Sequence, residues 1–287
     1  MGIFDSITRG YAMTVASIRI ASKEPWMFFL PVISGVIMLA LILSFIFVPG
    51  TLGLYGSADS PNQATIIVAV ALLYFIGYFL FYFTSAMVVF GARERFEGRD
   101  PTIGQSFSQS LARIDKILLL SLIGAIIGVL MQLLSGRGKN GRPNIIGQIL
   151  ASLIGVAWTV VSYFSLPVIL NEQIGVIDSF KKSYELVKKS WGEGVSANIS
   201  LLFIYVPGAL LLLAGIFLLG GTVGLAIIVL GGLLLLIAYM VSIPVKAVIS
   251  EALYVYATKG VVPSGFEADH LASFYQGPQG LPGKPLQ

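Results

Sequence analysis

Six stretches of this chain are too long and too apolar to suit anything but a bilayer. They lie near Trp26–Val48, Ala64–Gly91, Ile117–Ser135, Ile145–Leu170, Ile199–Leu219 and Thr222–Ile249. A helix needs roughly 20 residues, at about 1.5 Å each, to cross a ~30 Å hydrocarbon layer. No water is available there, so each backbone amide must be bonded within its own segment, and each run is read as a helix. The last two runs are nearly continuous and together exceed one crossing. Gly220–Gly224 is the place where they fold back. Only 11% of the 287 residues are charged and 56% are hydrophobic, whereas soluble domains carry about 25% charge. The fold class expected is all-α: a polytopic membrane protein with six transmembrane helices.

A short phrase recurs before each pair of runs: DSITRGY from Asp5, QSFSQSL from Gln105 and DSFKKSY from Asp178. The shared pattern is Asp/Gln, Ser, Ile/Phe, two variable residues, then Gly/Ser. Its recurrence at one topological place suggests a single unit used three times, over about 1–98, 99–175 and 176–262. Each unit would be an amphipathic interfacial helix followed by a transmembrane hairpin. In the third, Ile177, Phe180, Tyr184, Val187 and Trp191 recur every three or four residues, forming one apolar stripe. Asp178, Lys181, Lys182, Glu185, Lys188 and Lys189 fill the other side. The first helix reads Ile3, Ile7, Tyr11, Val15 and Ile18 against Asp5, Arg9 and Arg19; the second reads Ile103, Phe107, Leu111, Ile114 and Leu118. Thr102 and Gln105 are spaced for a capping box. Residues 1–276 form one membrane domain, and the Gly/Pro-rich stretch 277–287 reads as a flexible tail.

Basic residues set the orientation. If the N-terminus is cytoplasmic, all but three of the 18 basic residues fall on inner segments, and the exceptions, Arg137, Lys139 and Arg142, share one Gly-rich outer turn. The positive-inside rule therefore puts both termini in the cytoplasm, in a cell (inner) membrane. The first run is longer than a signal-peptide core and no cleavage site follows it, so it is expected to be retained.

Catalytic parts are hard to find. There is no cysteine, and the lone histidine, His270, sits in the polar tail. No HExxH pattern, phosphate loop or Ser/His/Asp set occurs within the runs. No run has an ionisable residue at its centre, where coupled transporters place one. No cofactor, metal or nucleic acid is implied. Glu94, Glu172 and Glu251 each lie at the inner end of an even-numbered run and are expected to pair with nearby Lys or Arg. Gly124 and Gly128, like Gly147, Ala151 and Gly155, are spaced for close helix approach. Tyr74, Tyr78 and Tyr82 share one face of the second run, and serve either interhelical hydrogen bonding or the lining of a cavity.

The phrases ALYVYATKGVVPSGF from Ala252 and SYELVKKSWGEG from Ser183 resemble those of a family of uncharacterised prokaryotic six-span integral membrane proteins. More remotely, the helix-plus-hairpin plan is similar to the membrane domain of some glycerophosphodiester phosphodiesterases, whose catalytic domain is not found in this sequence. The first resemblance implies six spans and a prokaryotic cell membrane. The second implies no site residues.

The expected function is non-enzymatic: organising lipid or a membrane complex through the cytoplasmic helices. Lys181, Lys182, Lys188, Lys189 and Trp191 would contact headgroups or a partner. The partners expected are membrane lipids, anionic ones in particular, with a homo-oligomer or complex as a further expectation. The alternative is a transporter or channel for a hydrophobic or amphiphilic solute, with Tyr74, Tyr78 and Tyr82 lining its cavity.

Overall fold

The computed structural model of the chain describes residues 3–51, 62–136, 144–217, 221–267, 271 and 284–285. Among them are nine helices: α1 (Ile3–Ser22), α2 (Trp26–Thr51), α3 (Gln63–Phe96), α4 (Ile103–Leu111), α5 (Ile114–Ser135), α6 (Ile145–Ser162), α7 (Ser165–Glu172), α8 (Val176–Phe217) and α9 (Gly221–Lys259). Two-residue strands β1 (Val261–Val262) and β2 (Lys284–Pro285) pair in parallel, Val261 with Lys284 and Val262 with Pro285. The rest of the stretch 277–287 lies outside the described residues.

Among the described residues, five helical segments are long and apolar enough to cross a membrane: Trp26–Phe47, Ala64–Phe96, Ile114–Ser135, Ile145–Glu172 and Gly221–Lys259. The chain is an all-helical membrane protein. The expected fifth run falls inside α8, where the shorter apolar segment Ile204–Phe217 marks it. A break between residues 176–191 and that run is not found. α8 is one helix of 42 residues, about 63 Å long at 1.5 Å per residue. Gly192 and Gly194 weaken a helix by about 1 kcal/mol each, and glycines alone do not end one.

Prolines account for breaks elsewhere. Pro25, without an N–H, stands at the start of α2 and ends the bonding ladder of α1. Pro167 stands four residues beyond Tyr163 and cannot donate to its carbonyl, and the chain departs from helix between α6 and α7, with Phe164 at φ −98° and ψ 0°.

Contacts divide the chain into two units. The first comprises Met1–Pro31, Met87–Phe107 and Glu185–Gln287. In it α1 packs against α9, and the core is built from Met13, Ile20, Met27, Phe90, Phe96 and the α9 stretch Val248–Tyr256, all buried. α8 and α9 touch backbone to backbone: a Cβ on Gly231 would sit 2.7 Å from the Leu212 amide nitrogen and 2.9 Å from the Gly208 carbonyl. The segment after β1 is tied back by Ser264, whose hydroxyl donates to the Arg95 carbonyl at 3.1 Å, and by the Phe266 ring, edge-on to Phe96.

The second unit comprises Val32–Ala86 and Ser108–Tyr184. α5 and α6 form a close hairpin, in which Gly147 lies against the Leu134 carbonyl and Gly155 against the Met131 side chain. Asn144 ties its ends: the side chain accepts from the Gly147 amide at 3.0 Å and donates to the Leu134 carbonyl at 3.2 Å. The run Phe164–Leu170, through α7, is wholly buried.

Candidate functional site

Each recurrent phrase lies on a helix with two contrasting rows. One row is buried and rich in small residues: Gly10, Met13, Thr14 and Ser17 on α1, Ser106 and Ser110 on α4, and Val176, Ser179, Ser183 and Leu186 on α8. The other row is large, apolar and exposed. The last residue of the phrase is Tyr11, Leu111 or Tyr184, and these are 63%, 48% and 52% exposed. Ile103, Phe107 and Ile177 extend the exposed rows, while Phe180 and Val187 are half-buried. The side chains of Ile3 and Ile7 lie outside those described.

The helix ends are built as their sequences demand. Thr102 and Gln105 form reciprocal bonds before α4, each backbone amide donating to the other's side chain at 3.2 Å. That is the capping box expected from their spacing. On α8 the serines bond locally and across. Ser179 donates to the Val176 carbonyl at 2.6 Å. Ser183 accepts the Phe164 amide proton at 2.9 Å. That amide is an orphan donor at the start of α7, so Ser183 satisfies a group the proline break has freed.

The lysines expected to meet headgroups do not all stand free. Lys181 pairs with Asp178 at 3.1 Å, and Lys182 pairs with Glu172. Lys188 is exposed, and the side chains of Lys189 and Trp191 lie outside those described. The glutamates that end the even-numbered runs differ: Glu94 bonds Arg99, Glu172 bonds Lys182, and Glu251 is completely buried. Glu94 and then Glu97 hold Arg99 charged, pushing its pKa further up. Arg95 reaches both Glu24 and Asp100 at 2.5 Å, and Trp26 donates its indole N–H to Glu24 at 3.0 Å.

The tyrosine row packs against glycine. Tyr78 lies over Gly124 and Tyr74 over Gly128, so closely that an added Cβ would come within 2.8 and 2.7 Å of the rings. Tyr82 is buried, its ring 6.0 Å from that of Tyr78. A groove of about 500 Å³ opens beside this row, lined by Val68, Ala71, Leu72, Phe75, Leu118, Leu119 and Leu122. None of the three tyrosines lines it. In the sequence the groove shows only as apolar residues, six aliphatic side chains and Phe75. Among the described residues no three His, Cys, Asp or Glu side chains converge.

The chain belongs to a family of unknown function, DUF6159, whose model matches residues 64–266, from α3 to the segment after β1. No curated protein matches it. The remote resemblance to phosphodiesterase membrane domains gains no support from these matches.

Proposed function

We propose that this protein organises lipid, or a membrane complex seated in lipid, at the cytoplasmic face of a cell (inner) membrane, without catalysing a reaction. In this reading the chain crosses six times with both termini inside, and its three helix-plus-hairpin units are repeats. The observation that carries it is the pair of rows on α1, α4 and the start of α8. The same phrase position is buried each time, and the next residue is an exposed large apolar side chain.

Magnitudes favour contact with lipid over a solvated face. Burying one such side chain is worth about 1.5–3 kcal/mol. A single lysine beside an anionic leaflet is worth about 1 kcal/mol, and less when an acid already neutralises it.

The test is gentle extraction into native lipid discs followed by mass spectrometry of the lipids retained. A triple variant, Phe107→Ser, Leu111→Ser and Tyr184→Ser, should retain less lipid than the wild type. Equal recovery from both would sink the lipid-organising reading. Orientation is checked separately, with Lys182→Cys labelling only from inside and Ser57→Cys only from outside.

The groove on α3 and α5 favours a second reading, transport of a hydrophobic or amphiphilic solute. Flux of such a solute into proteoliposomes, blocked by Ala71→Trp, would establish it in place of the first.

A further inference from the structure

The two rows also bear on what kind of membrane contact the helices make. Three observations converge. First, the helices are tethered to spans by very short connections. Only Ala112–Arg113 separates α4 from α5, and only Gln173–Gly175 separates the start of α8 from α7, which closes the span Ile145–Glu172. Three extended residues reach no more than about 11 Å, so the exposed rows are held close to where the spans enter the hydrocarbon.

Second, α4 carries no charged residue at all between Ile103 and Leu111, yet its apolar row is exposed like the others. Third, two of the lysines at the start of α8 are paired within the chain. Lys181 is paired with Asp178 and Lys182 with Glu172, and Glu185 stands three residues before Lys188. A surface that recognised anionic headgroups would present its lysines without neighbouring acids.

We infer that the outward rows of α4 and the start of α8 sit among the glycerol and upper acyl carbons of the cytoplasmic leaflet, held there by apolar contact and indifferent to headgroup charge. This rests on the lipid-organising reading above and narrows it. The expectation of anionic lipids gives way to one of any fluid leaflet, with composition felt through packing at the interface.

The test uses the full chain, whose freedom from cysteine allows single labels. Fluorophores are attached at Phe107→Cys and Tyr184→Cys, and at the exposed polar control Gln109→Cys. Each protein is reconstituted in phosphatidylcholine alone or in a mixture rich in phosphatidylglycerol, with a spin label near the head of the acyl chain as quencher. Labels at 107 and 184 should be quenched roughly twofold or more above the control, to the same extent in both lipids. Quenching only in the phosphatidylglycerol mixture would overturn the inference and leave the lipid-organising reading standing. Quenching no greater than the control in either lipid would overturn both. Leu111→Cys and Ile177→Cys, on the same rows, replace either variant that does not fold.

Discussion

α4 and the first turns of α8 carry the same phrase and bury the same positions, yet they end differently. α4 stops after nine residues, and the chain restarts as α5 past Arg113, whose backbone leaves the helical region (φ −119°, ψ 19°). α8 continues without a break into the apolar segment Ile204–Phe217. α4 is uncharged; the start of α8 alternates acids and lysines. What the two share is the buried Ser–x–x–x–Ser pair and the exposed apolar row. The common feature is therefore the docked face. Charge and the manner of ending vary around it.

The comparison can be broken most sharply by distance. Spin labels at Ile177→Cys and Leu210→Cys should lie about 50 Å apart if α8 is straight, and about 35 Å apart if it bends at a right angle near Gly192. The shorter value would make α8 resemble α4 and α5, two helices with a turn between them. Next in size is the docked face itself. Ser183→Leu overfills a buried site and strands the Phe164 amide, so it should cost about 3 kcal/mol or more in thermal unfolding. Tyr184→Ser, one residue away, should stay within about 0.5 kcal/mol in detergent. Similar losses from both would mean that the rows do not differ as their burial indicates.

Smaller effects sharpen the picture. Thr102→Ala removes half of the capping box at α4 and should cost about 1 kcal/mol. The smallest belongs to Lys181→Gln, which breaks an exposed pair three residues apart and should change stability by less than about 0.5 kcal/mol. A larger loss there would show that charge, and not the docked serine face, fixes the start of α8.

The spans were legible because bilayer thickness sets a minimum length, and five of the six expected runs coincide with helices long and apolar enough to cross. The capping box at Thr102 and Gln105 was legible because its spacing has a single geometric meaning. Which side of each short helix meets the protein was not. In water the apolar stripe would be the obvious inner face. Small residues allow close helix packing, and here Ser179 and Ser183 are buried while Ile177 and Tyr184 are exposed. The sequence places both rows on one helix, and which of them packs inward depends on the neighbouring helices. The continuity of α8 through Gly192 and Gly194 was also hidden, since glycine lowers helix propensity without dictating a stop. For the tyrosines, the contact with Gly124 and Gly128 depends on how the helices are aligned, which no single-helix pattern contains.

One hydrogen bond couples two places that otherwise look separate. The Phe164 amide, released where Pro167 interrupts the helix, is received by Ser183. If the start of α8 swings outward, that donor loses its acceptor where water is scarce, at a cost of about 1–3 kcal/mol. The cheapest way to recover is for the α6–α7 break to readjust in the same motion. Tyr184, immediately beyond Ser183, is exposed, so a displacement of that ring would be felt at the break.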